Sequence, residues 1–62
     1  MKFKVFADFK NPADRKYEPE WETEIDADTI GNAYSEGLML FRAHCDEAGL
    51  DHELFEVHAR TP

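Results

Sequence analysis

The 62-residue sequence predicts an α+β domain of order β-β-α-β, a three-stranded antiparallel sheet in the order 2-1-3 with one helix on one face. Three observations predict it. Apolar residues alternate with other residues over 2–9 and again over 19–27. Between Thr29 and Ala48 their period lengthens from two to about 3.6, and over 53–60 the alternation returns. A right-handed crossover through the helix makes the second and third strands parallel. The first strand, placed between them, is then antiparallel to both.

Residues 2–9, KFKVFADF, set Phe3, Val5, Ala7 and Phe9 on one side and Lys2, Lys4, Phe6 and Asp8 on the other, as in a half-buried strand. The next stretch, KNPADRKYEP, breaks the pattern. Within it Asn11-Pro12-Ala13-Asp14 suits a type I turn, because proline presets the backbone of the second position. Residues 19–27 form the second strand, with Trp21, Thr23, Ile25 and Ala27 inward. Asp28 is the expected helix N-cap, its carboxylate accepting from backbone N–H groups at the positive end of the helix dipole.

From residue 29 to 48, Ile30, Ala33, Tyr34, Gly37, Leu38, Phe41, Cys45 and Ala48 fall on one stripe, with Leu40 and His44 at its margin and Met39 on the outer side. Gly37 costs up to about 1 kcal/mol of helix propensity. Its position mid-stripe predicts a close approach of helix to sheet, over Trp21 or an inward phenylalanine. Gly49 suits a left-handed helix end, with Leu50 folding back on the last turn. In the third strand, Phe55, Val57 and Ala59 alternate with Glu56, His58 and Arg60.

Size limits what such a chain can do. A domain this short buries only about 60% of the surface its unfolded form exposes. Its core rarely supplies more than about 3–5 kcal/mol of net stability, so a partner subunit is a natural supplement. The single cysteine excludes an internal disulfide, and no CxxC or paired Cys/His spacing suggests structural zinc. Together with the absence of a long apolar run or a leader-like N-terminus, this gives a cytoplasmic expectation with no membrane contact.

Charge is uneven along the chain. Residues 1–16 carry five basic and two acidic residues, net +3; residues 17–62 carry two basic and twelve acidic ones, net −10; the chain totals −7. Direct nucleic-acid binding through a broad basic face is therefore not expected. The loop residues Lys10, Arg15, Lys16 and Tyr17 are too few to change that, although they suit a local contact with a phosphate or an acidic partner.

With one helix, one sheet face stays uncovered. Lys2, Lys4, Phe6 and Asp8 occupy its centre, the acids Glu20, Glu22, Glu24 and Asp26 one side, and Leu54, Glu56, His58 and Arg60 the other. Lysines between columns of acids form favourable cross-strand pairs, and an acidic edge discourages edge-to-edge association. The expected activity is non-catalytic protein binding through this face or its edges, with homodimerisation. Phe6, Leu54, Glu56 and His58 are the candidate contacts, Lys2 and Lys4 lying between them, and Phe6 and Leu54 form a shared patch if the register allows. The alternative uses Glu20, Glu22, Glu24 and Asp26 as a nucleic-acid mimic that blocks a basic protein, since alternate strand residues lie about 6.6–6.8 Å apart.

A third possibility is weak metal binding by the segment His44–Glu53, HCDEAGLDHE, which holds His44, Cys45, Asp46, Asp51, His52 and Glu53. Consecutive helical residues point about 100° apart, and no HxxxH or HExxH spacing aligns two ligands. No metal or cofactor is expected. Cys45 on the apolar stripe suits a core residue better than a nucleophile. No acid/base pair has a visible pocket, so catalysis is not expected.

The succession KFKVFADF, EWETEIDAD, TIGNAYSEGLMLFRAHCDEAGL and ELFEVHA covers nearly the whole chain. It resembles small accessory proteins of actinobacterial phages and their hosts, in which an acidic strand is followed by an Ala/Leu helix and a short closing strand. The resemblance implies a partner-binding or host-inhibitory role and transfers no individual residue's function.

Overall fold

The computed structural model describes residues 1–15 and 17–61. Strand β1 (Lys2–Phe9) runs into a 3₁₀ turn (Pro12–Asp14), followed by β2 (Trp21–Asp26), helix α1 (Ile30–Ala48), a second 3₁₀ turn (His52–Leu54) and β3 (Phe55–Arg60). The strands form one sheet in the order β2-β1-β3, with β1 antiparallel to both neighbours. This is the β-β-α-β arrangement the sequence predicts. A helix of 19 residues spans about 28 Å and β1 about 27 Å, so one helix covers one face from end to end.

The Asn11 carbonyl accepts from the Asp14 N–H at 3.0 Å, as in the expected turn, and the Arg15 N–H extends it by bonding the Pro12 carbonyl at 3.3 Å. The helix begins one residue later than expected. Thr29, not Asp28, is the N-cap: its backbone is extended and its hydroxyl accepts from the Asn32 N–H at 3.1 Å. A hydroxyl on a short side chain reaches that donor directly, and Asp28 is left one position outside the first turn. At the other end Gly49 is left-handed with φ 71°. The Leu50 N–H closes the end on the Cys45 carbonyl at 2.9 Å, a bond that crosses the last turn.

On α1 the fully covered residues are Ala33, Gly37, Phe41 and Cys45, every fourth position. Ile30, Tyr34 and Ala48, expected on the stripe, remain exposed, so the buried strip is narrower than the apolar one. Gly37 packs over Val5, rather than over Trp21 or a phenylalanine. A Cβ built there would lie 2.9 Å from the Val5 Cβ and overlap its methyl groups.

The core has two halves. Phe3, Val5, Ile25 and Ala33 pack at the helix N-terminal end, and Ala7, Phe41, Cys45 and Phe55 at the other. Trp21 and Val57 pack against both. Phe41 is the hinge of the aromatic packing, its ring centroid 5.3 Å from Trp21 and 5.4 Å edge-on from Phe55.

Two strand boundaries differ from expectation. β2 occupies 21–26 within the anticipated 19–27. β3 starts at Phe55, because Asp51 caps a 3₁₀ turn by accepting from the Glu53 N–H at 3.0 Å. Leu54 therefore belongs to that turn and not to the strand.

Candidate binding surface

The side of the sheet away from α1 is built by alternation. Phe3, Val5 and Ala7 are buried beneath the helix, so Lys2, Lys4, Phe6 and Asp8 point outward. The register sets Lys2 opposite Asp26, Lys4 opposite Glu24 and Phe6 opposite Glu22. On the other flank Lys4 faces Arg60, Phe6 faces His58 and Asp8 faces Glu56.

The cations do not bond the acids straight across. Each reaches diagonally: the Met1 amine to Asp26 at 2.9 Å, Lys2 Nζ to Glu24 at 3.5 Å and Lys4 Nζ to Glu22 at 3.7 Å. The first contact holds the Asp26 carboxyl below its ordinary range, through the hydrogen bond from the amine and then through the amine's charge, with a smaller effect from Lys2. All three pairs are exposed, and pairs so screened by water contribute little to stability. Their larger consequence is electrical, since a row of acids facing a row of amines has a much reduced outward field.

Phe6 is only half-exposed. Its ring stacks on His58 at 5.3 Å and lies 5.4 Å from the guanidinium carbon of Arg60. The directly opposed acids Asp8 and Glu56 are relieved by Arg15, whose Nη2 lies 3.5 Å from Glu56, while its Nε donates to the Phe9 carbonyl at 2.9 Å. His58 Nε2 is also 3.5 Å from Glu56. Arg15 thus folds the β1–β2 connection over one end of the face. There a shallow concavity of about 220 Å³ opens between Phe6, Arg15, Tyr17 and Pro19. Lys10 and Tyr17 remain exposed, and Lys16 lies outside the described residues.

Leu54 does not join Phe6. The Lys10 N–H donates to the Leu54 carbonyl at 2.9 Å, which places Leu54 beyond the Asp8/Glu56 position. Four residue steps, about 13 Å, separate it from His58. The face therefore gathers Lys2, Lys4, Phe6, Glu56 and His58, with Arg15 and Arg60 added, and sets Leu54 apart. The sequence places Arg60 on this face with Glu56 and His58, although not among the candidate contacts, and does not place Arg15 there. Arg60 carried a signal, since it shares the parity of His58; Arg15 carried none, because its position depends on how the connection folds.

The segment from His44 to Glu53 forms no common site. His44 packs beside Trp21 and Phe41, at 6.3 and 6.2 Å between ring centroids. Cys45 is buried, and burial raises its thiol pKa, helped by the nearby negative charges of Asp46 and Asp51. Among the described residues, no three His, Cys, Asp or Glu side chains gather closely enough to hold one ion. No helix among them is long and apolar enough to cross a membrane.

The chain matches no protein-family model, no curated protein and no solved structure.

Proposed function

We propose that this protein is a non-catalytic binding module that self-associates through the uncovered side of its sheet or the adjoining edges. The observation that carries the reading is the single helix layer. It leaves Lys2, Lys4, Phe6, Glu56 and His58 on an open surface of mixed charge with one aromatic at its centre. Mixed columns of charge are self-complementary in a way that a uniformly acidic face is not. A small core gives dimerisation a thermodynamic reason, because binding that favours the folded state stabilises it by mass action.

The alternative, an acidic decoy for a basic protein through Glu20, Glu22, Glu24 and Asp26, has less support. Three acids of that row already have cations within 3.7 Å. Sedimentation equilibrium over a concentration series tests the main reading. The expected result is a mass rising toward twice the 7.2 kDa of one chain; a mass that stays at one chain throughout refutes it.

A further inference from the structure

We infer that the second copy docks on the outer edge of β3, pairing antiparallel about His58 to make a continuous six-stranded sheet. This inference rests on the self-association proposed above and names the edge and register that perform it.

The backbone parity of β3 is fixed by its bonds to β1. The Lys10 N–H bonds the Leu54 carbonyl, so the Phe6/His58 and Lys4/Arg60 pairs, an even number of residues further on, also turn their backbone groups toward each other. Phe55, Val57 and Ala59 consequently direct theirs away from β1. The Phe55 N–H is occupied by the His52 carbonyl. The N–H and C=O of Val57 and Ala59, and the Phe55 C=O, face outward on an edge with no neighbouring strand among the described residues.

Two registers suit a two-fold pair. Centring on Val57 sets the already engaged Phe55 N–H against Ala59 of the second copy and leaves Arg60 opposite Leu54. Centring on His58 pairs Val57 with Ala59 in both directions, using all four of their outward groups on each chain. It also sets Glu56 directly opposite Arg60, twice. Charge complementarity and the hydrogen-bond inventory choose the same register.

The other edge is closed to itself. On β2 the same parity turns the backbone of Glu22, Glu24 and Asp26 outward, and any antiparallel self-pairing sets acid against acid.

The helix supplies a second, independent observation. On its β3 side, Tyr34 and Leu38 line a groove of about 570 Å³ with Phe41, Arg42, Val57 and His58. Ile30 continues this apolar row one turn earlier, and Ile30 and Tyr34 are 47% and 39% exposed. These are large stripe residues of the helix's first half, and the single chain leaves them uncovered. A two-fold through His58 brings groove against groove on the helix side and covers both rows.

The test uses the full chain in sedimentation equilibrium, with circular dichroism to show folding. Ala59→Pro deletes an outward N–H that the fold does not use, and is expected to leave a folded monomer. E56R and R60E each oppose like charges and are expected to weaken self-association about tenfold or more. Mixed in equal amounts they should restore a particle of two chain masses, because one then offers two arginines and the other two glutamates. This arm stands even if Ala59→Pro fails to fold. A wild-type chain that stays monomeric overturns both proposals. A wild-type dimer that survives folded Ala59→Pro, or E56R and R60E chains that gain nothing on mixing, overturns the edge pairing and leaves self-association standing.

Discussion

Gly37 and Val5 determine how near the helix can come to the sheet. Alanine normally gains about 1 kcal/mol over glycine inside a helix. Here the added methyl overlaps Val5, itself fully buried on the central strand with no room to withdraw. Overpacking a tight core costs about 1–3 kcal/mol, so Gly37→Ala is expected to lower stability in urea unfolding, and Val5→Ala in the same chain to recover part of the loss. Equal or greater stability of the single variant would show that the helix can ride outward. A glycine in mid-stripe made a close approach legible in the sequence; its partner was not, because which inward residue lies beneath depends on where the helix crosses the strands. Asp26 gives a second test at this scale. Its carboxyl is held below the ordinary value of 3.8 by the Met1 amine. A lowered folded-state pKa contributes stability that is present above the unfolded value and disappears as pH falls through the folded one. The stability difference between wild type and Asp26→Asn should be level at neutral pH and close below about pH 4. A difference that persists unchanged in stronger acid would contradict the contact.

At the scale of elements, termini were harder to read than the elements themselves. Strand alternation and the helical period rest on many residues at once, whereas a cap rests on one hydroxyl or carboxylate. Asp28 and Thr29 are both good caps, adjacent in sequence, and the hydrogen bond from the Asn32 N–H to the Thr29 hydroxyl distinguishes them. Thr29→Ala is expected to cost about 1 kcal/mol and Asp28→Ala a few tenths, measured by thermal unfolding; the reverse order would return the cap to Asp28. The same limit explains the binding surface. Phe6, Glu56 and His58 share a face by parity alone, which the sequence displays. Leu54 fails to join them because Asp51 caps a turn through the preceding residues, and that local hydrogen bond competes successfully with strand extension. Arg15 enters the face from a connection whose path no periodicity describes.

For the molecule as a whole, stability and association are one problem. Phe41 joins the sheet to the helix through Trp21 and Phe55 and is 1% exposed. Truncating a buried phenylalanine to alanine costs about 3–5 kcal/mol, as much as a core of this size supplies. Phe41→Ala is therefore expected to be largely unfolded when dilute, with the near-ultraviolet dichroism of Trp21 lost. If folding and edge pairing are linked, raising the chain concentration should draw this variant back toward the folded state, because only the folded chain presents β3 as a strand. The wild-type melting temperature should rise with concentration for the same reason. The doubly changed chain carrying Phe41→Ala and Ala59→Pro should show no such recovery, since its edge lacks the Ala59 N–H. Concentration-dependent recovery in that double variant would mean that the folded state is stabilised through another surface, and a dilute Phe41→Ala chain that melts like wild type would mean that the two halves of the core hold without their aromatic joint.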